Sequence, residues 1–237
     1  MTTCRQLIIS FSLVGLFVSA QAGAAVTAQD ATPGIAASGT PAAGVPGGRA
    51  TTSQVFWFPG TAWAGTAIPH ASSSLVTFDE GASVALETAG LEPGDAVTLW
   101  WVIFNDPEAC AHGEGGLRCG AGDLLLFGGD AAVGGTLLYG AGHVVGPDGH
   151  GYFSSFLATS DTARVFGQGP GLTNPQGADI HFVVRTHGPA QPGLVGAQLE
   201  SFGGGCNNAP EGAGTAGDFA CADLQFAAHE QSLVAPQ

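Results

Sequence analysis

The chain has 237 residues, of which 5 are basic and 19 are acidic, and its formal net charge at pH 7 is −14. All the basic residues are arginines, which excludes Schiff-base and pyridoxal chemistry, a phosphate-binding P-loop lysine and the clustered positive charge that nucleic acids require. Glycine (39 residues) and proline (14 residues) make up about 22% of the chain, and the aliphatic and aromatic runs between them predict one ordered domain rich in turns.

Residues 1–22 have the pattern of a secretory signal peptide. Arg5 precedes the apolar run Leu7–Val18, and small residues follow that run. The run has about 12 residues, too few to span a bilayer, and two A-x-A patterns predict cleavage after Ala22 or Ala24. An uncleaved anchor is the alternative. We therefore expect an exported protein, secreted to the extracellular space or the periplasm, with no membrane span after signal cleavage.

Residues 23–50 are rich in Ala, Gly, Pro and Thr and contain almost no bulky apolar side chains. Such a segment cannot bury enough surface to offset its ordering entropy, so it is predicted to be a disordered tether. Residues 51–230 then form the folded domain, about 180 residues and hence one core. Residues 231–237 are expected to be a C-terminal tail.

Within residues 51–230 the apolar segments are short, rich in β-branched and aromatic residues, and separated by turn signals such as Glu92-Pro93-Gly94-Asp95. The predicted strands are Gln54–Phe58, Ser74–Phe78, Ser83–Glu87, Ala96–Phe104, Asp123–Phe127, Thr136–Val145, Gly151–Ala158, Asp179–Thr186 and Asp223–His229. The segment Val97–Phe104 is apolar on both faces, which indicates a central strand that is covered on both sides. We predict an all-β fold, an antiparallel Greek-key β-sandwich of eight or nine strands.

Four cysteines remain after signal cleavage, and an even number in an exported chain favours disulfides. Three connectivities are possible. Sequence spacing favours the local pairs Cys110–Cys119 and Cys206–Cys221, because each pair closes a short, Gly-rich polar loop. A four-thiolate zinc site is the alternative, although no pair has the C-x2-C spacing of such sites.

Two segments resemble the secreted chordin-type CHRD domains. VALETAGLEPGDAVTLWW (Val84–Trp101) looks like their strand–GLxPG–strand unit, and IHFVVRTHGPAQPGLVGAQL (Ile180–Leu199) is similar to their HIHGPA segment. The resemblance implies a Greek-key sandwich of the kind that in turn resembles copper/zinc superoxide dismutases. The dismutase-like pattern places two histidines one residue apart on the strand after the turn, whereas this chain has Leu99, Trp100 and Trp101 there. The resemblance therefore implies the fold and not the metal chemistry.

The best candidate for a chemical site consists of histidines. A two-residue loop between His143 and His150 would make them diagonal neighbours about 7–8 Å apart, and a three-residue loop would reverse that parity. With His181 and either Asp179 or Asp148 they form a ligand set that suits zinc or copper. His187 is expected about 20 Å from His181 if the strand between them stays extended. The alternative is that these are surface and turn histidines, one of them hydrogen-bonded within the sheet.

Two classes of function remain. The acidic composition, the predicted disulfides and the lack of any catalytic motif favour a non-catalytic extracellular binding or structural module. Such a module needs no cofactor, and its partner is an unidentified extracellular or cell-surface component. The alternative is a zinc- or copper-dependent redox or hydrolytic enzyme that uses the histidines. The four tryptophans either form a platform that stacks on sugars or belong to the core: Trp57, Trp63, Trp100 and Trp101.

Overall fold

The computed structural model describes residues 47–58, 65–113, 115–209 and 217–230 of the chain. The predicted signal peptide, the predicted C-terminal tail and nearly all of the predicted tether lie outside these residues. The first strand begins at Arg49, so the ordered region starts before the boundary expected at residue 51. Arg49 is held there because it pairs with Thr77 of the next strand.

The described residues form an all-β fold, as the short β-branched and aromatic segments between turn signals predict. The strands are β1 (Arg49–Trp57), β2 (Ala67–Phe78), β3 (Gly81–Thr88), β4 (Asp95–Phe104), β5 (Thr136–Val144), β6 (Gly151–Ala158), β7 (Asp179–Pro189) and β8 (Ala222–His229). All their pairings are antiparallel. One short α-helix, α1 (Val195–Glu200), follows β7, and no described helix is long and apolar enough to cross a membrane.

The strands form one curled sheet in the order β5-β4-β7-β8-β1-β2-β3-β6. The edge strands β5 and β6 come together, and the Ser155 hydroxyl of β6 donates a hydrogen bond to the Gly140 carbonyl of β5 at 3.1 Å. β7 lies beside β4, the first strand of the β4–β5–β6 run, which is a Greek-key arrangement. The Greek-key prediction is confirmed, but the sheet nearly closes on itself instead of forming two clearly separate layers.

Strand β4 is buried along its whole length, as its apolar sequence predicts. Residues on its inner side, such as Leu99 and Trp101, belong to the main core inside the curled sheet. Residues on its outer side, Trp100 and Val102 among them, pack in a second apolar cluster beneath the loops. The cluster includes Cys119, so the loop closed by the first disulfide helps to cover the outer side of β4.

The prediction of a strand at Asp123–Phe127 is wrong. This segment contains two 3-10 turns, Ala121–Asp123 and Leu125–Phe127. The Asp123 side chain, which is 1% exposed, accepts hydrogen bonds from the backbone N–H groups of Ala111, His112 and Gly120. The carboxylate therefore fixes a turn around itself, and the chain does not extend into the sheet.

The outer sides of β1, β2, β3 and β6 form a surface that we call the open face. Exposed and buried residues alternate along β2 and β6, whereas β7 is buried at all but its last residue. The difference arises because loops cover the outer side of β4 and β7 and, among the described residues, none covers the outer side of β2, β3 and β6. The open face consists of Ala50, Thr52, Gln54, Ser72, Ser74, Val76, Phe78, Ser83, Ala85, Glu87, Tyr152, Ser154 and Phe156.

Candidate functional site

The sheet register separates the predicted metal ligands His143 and His181. His143 on β5 pairs with Val97, and His181 on β7 pairs with Val102, on the opposite side of β4. Five residues along β4 correspond to about 16 Å. Asp179 lies two residues before His181 on β7, so the fold places these two side chains on the same face of one strand.

His143 and His150 each pack against an aromatic ring. The His143 ring lies edge-on to Phe153 at 6.0 Å, and the His150 ring stacks on Tyr152 at 5.9 Å and 14°. Among the described residues, the ligand atoms of His143, His150, Asp179 and His181 do not belong to any group of three or more within 4.8 Å of one another. The predicted set of four is therefore not brought together as one site.

His181 lies in the second apolar cluster and has no exposed surface. Its ring contacts Phe104 at 5.3 Å between ring centroids. Burial, with a smaller contribution from His229, lowers the pKa of His181 to about 3, because a charged imidazole would lose its hydration there. The ring is therefore neutral at physiological pH.

His187 lies against the Cys206–Cys221 disulfide, although no sequence pattern predicts that it is near a cysteine. Its Nδ1 is 3.6 Å from Cys206 Sγ and 3.8 Å from Cys221 Sγ. These three residues form one of two groups of potential metal ligands within 4.8 Å among the described residues, and Cys110, Cys119 and Asp123 form the other. In both groups the two sulfurs are joined to each other, which confirms the predicted disulfides and leaves no thiolate to bind a metal.

Both ring nitrogens of His187 take part in a directed chain of hydrogen bonds. Nδ1 donates to the Gly204 carbonyl at 2.8 Å, so Nε2 must accept from the Thr98 hydroxyl at 2.9 Å. The Thr98 oxygen in turn accepts from Trp100 Nε1 at 2.8 Å. Burial lowers the pKa of His187 to about 4. The ring therefore stays neutral, with its proton on Nδ1, as this series of hydrogen bonds requires.

His229 occupies a comparable position on the inner side of the sheet. Its Nδ1 lies 2.8 Å from the Thr51 hydroxyl, and its Nε2 lies 3.0 Å from the Ser73 hydroxyl. Burial lowers its pKa to about 4. The ring therefore joins the last strand, β8, to β1 and β2 and offers no free nitrogen to a ligand.

The three tryptophans in the described part of the chain do not form an exposed platform. Trp101 is fully buried in the main core and Trp100 is 3% exposed on the other side of β4, as their adjacent positions predict. Trp57 is 36% exposed, and Trp63 lies outside the described residues. The large exposed rings of β6 are instead Tyr152 and Phe156, whose alternation with buried residues was visible in the sequence although their exposure was not.

A hollow of about 360 Å³ lies on the open face beside Tyr152. Its walls carry serine hydroxyls, one carboxylate and the phenol ring, and they come from β2, β3 and β6. The lining residues that belong to the open face are Ser72, Ser74, Ala85, Glu87, Tyr152 and Ser154.

No protein-family model, no curated protein and no solved structure matches the chain. The protein is therefore classified by its fold and its covalent structure alone, as an antiparallel all-β protein with two disulfide-closed loops.

Proposed function

We propose that the chain is an exported, non-catalytic binding module whose histidines and cysteines serve the fold. The observation that carries this proposal is the internal use of the donor atoms. Both nitrogens of His187 and of His229 are hydrogen-bonded to groups of the same chain. The cysteine sulfurs are consumed in two disulfides, which are compatible with export.

The charge of the chain supports the same proposal. With 19 acidic residues against 5 arginines, the molecule repels polyphosphates and anionic membranes. Three of those arginines are engaged in ion pairs within the described residues: Arg185 with Asp223 at 2.7 Å, Arg164 with Asp161 at 3.8 Å, and Arg118 with Glu108. The partner of such a module is therefore a component outside the cell that is not anionic.

We also propose that the module is of the chordin-type CHRD kind. The segment Val84–Trp101 contains the end of β3, the Glu92–Asp95 turn and most of β4, which is the strand–turn–strand unit that the resemblance implies. The segment Ile180–Leu199 contains β7 and most of α1. The Greek-key strand order supports this assignment as well.

Metal content and thermal stability of the secreted protein test the non-catalytic proposal. We expect no stoichiometric zinc or copper by elemental analysis, and the same Tm with and without a strong chelator. His143→Ala and His150→Ala should each change stability by only about 1 kcal/mol, because both rings are partly exposed. A stoichiometric metal together with a large chelator-induced fall in Tm would instead establish the metal-dependent alternative.

A further inference from the structure

The open face presents two exposed aromatic rings on one strand. Tyr152 is 57% exposed and Phe156 is 49% exposed, and both project from the outer side of β6. They are four residues apart on an extended strand, so their Cα atoms are separated by about 13 Å. Two large exposed rings that share one face, together with the hollow beside Tyr152, make this face the candidate site of interaction.

Each of these rings is held in place by a second ring. His150 stacks on Tyr152 at 5.9 Å, and Phe78 stacks on Phe156 at 5.8 Å with an interplanar angle of 6°. Gly81, the first residue of β3, lies beside the second stack: an added Cβ there would come within 2.2 Å of the Leu157 carbonyl oxygen and 3.1 Å of the Phe156 ring. The two rings are therefore fixed in orientation before any ligand arrives, which reduces the entropic cost of binding.

The space between the two rings is lined by small and hydroxylated side chains. Ser74, Ala85 and Ser154 are direct neighbours in the sheet register, and all three are exposed. Ser154 lies midway between Tyr152 and Phe156 along β6, so this row forms the floor of the hollow. Serine hydroxyls both donate and accept hydrogen bonds, and they suit a ligand that itself carries hydroxyl groups.

Charge narrows the class of ligand. The open face carries one ionised side chain, Glu87, which pairs in register with Ser72 and Tyr152. No open-face residue is basic, and the nearby Arg164, which donates to the Phe156 carbonyl at 2.7 Å, is paired with Asp161 at 3.8 Å, so the surface does not favour an anionic ligand. A second copy of the chain also carries a net charge of −14, and this like charge opposes self-association.

We propose that the open face binds a neutral oligosaccharide that extends along β6 from Tyr152 to Phe156. The apolar faces of two sugar rings lie on the two aromatic rings, and the sugar hydroxyls bond to Ser74, Ser154 and the Glu87 carboxylate. A separation of about 13 Å exceeds one six-membered ring, so the site selects a chain of sugars over a monosaccharide. This inference rests on the proposed function, because it names the ligand class of the binding module.

Binding is tested with the full mature protein by calorimetric titration. The neutral probes are cellohexaose, chitohexaose and mannohexaose, and dextran sulfate is the anionic control. We expect at least one neutral hexamer to bind, glucose and other monosaccharides to bind far more weakly, and dextran sulfate not to bind. Tyr152→Ala and Phe156→Ala should each raise Kd about tenfold, and the double variant should abolish binding.

Two further variants control for the removal of an exposed ring and for the shape of the hollow. Phe127→Ala removes another exposed ring, 61% exposed and outside the open face, and should leave Kd within about twofold. Ala85→Leu keeps both aromatic rings but fills the hollow, and it should also weaken binding about tenfold. Equal Tm values for all variants confirm that the fold is intact.

Three results would overturn the proposal. The protein binds none of the three hexamers, it binds dextran sulfate as tightly as the best hexamer, or the double variant binds with the same affinity as the wild type. Concentration-dependent dimerisation that Tyr152→Ala and Phe156→Ala abolish would show that the open face meets another copy instead. A metal-free protein that binds no hexamer contradicts only this inference, whereas stoichiometric metal with a chelator effect contradicts the proposed function.

Discussion

Lowering the pH from 7 to 5 should strongly destabilise the fold, because three of its histidines are buried in neutral form. Burial lowers the pKa of His187 and His229 to about 4 and that of His181 to about 3. In the unfolded chain each ring has a pKa of about 6.5. Below that pH the unfolded state therefore binds more protons than the folded state, and stability falls as the pH falls.

The size of the effect follows from these pKa values. Between pH 7 and pH 5 each ring becomes almost fully protonated in the unfolded chain but stays mostly neutral in the fold. This difference in proton binding lowers the free energy of unfolding by about 2 kcal/mol for each ring, or by about 6 kcal/mol for the three. A domain has a total stability of roughly 5–15 kcal/mol, so acid unfolding should begin near pH 5. The loss should continue down to about pH 4 for His187 and His229.

Urea unfolding followed by tryptophan fluorescence at pH 7, 6 and 5, at constant ionic strength, measures this loss. The variant His229→Gln should be less stable at pH 7, since Thr51 and Ser73 lose their partner, but its loss between pH 7 and 5 should be smaller by about 2 kcal/mol. His112→Gln, at an exposed ring, is the matched control and should keep the wild-type loss. Equal unfolding free energies at pH 7 and pH 5, or an unchanged loss in His229→Gln, would refute the reasoning.

Three other substitutions test separate parts of the fold. Asp123→Asn should lower the free energy of unfolding by about 2–4 kcal/mol, because it removes one acceptor oxygen from a carboxylate that binds three backbone N–H groups. Asp130→Asn is the control: that carboxylate accepts one exposed hydrogen bond, so the loss should be about 0.5 kcal/mol or less. Replacing Cys206 and Cys221 together by alanine should lower the unfolding free energy by about 3 kcal/mol, and an unchanged Tm would contradict a structural role for this disulfide. Gly188→Ala should lower Tm by several degrees, because this glycine has φ +71° and an added Cβ would lie 2.3 Å from the Phe219 ring. A wild-type Tm would show that the Phe219 ring moves aside freely.

The features that sequence reasoning predicted correctly depend on residues close together in the chain. Short segments rich in β-branched and aromatic residues located the eight observed strands, and the glycine- and proline-containing turns between them are local as well. The two disulfides are 9 and 15 residues apart, short enough for loop closure to favour them over distant pairs. The adjacent pair Trp100 and Trp101 had to face opposite sides of one strand whatever the fold.

The tertiary structure decided the features that depend on how the loops fold and pack, which the pattern along the chain does not show. Asp123 lies in a segment with a strand-like pattern, but backbone groups 3 to 12 residues away draw its carboxylate into a turn. His187 meets sulfurs 19 and 34 residues away only because α1 and the following loop return to the end of β7. The pattern of β6 shows that Tyr152 and Phe156 share a face, but not which face. That face meets solvent because the covering loops lie over β4 and β7, and no local periodicity encodes where a loop packs.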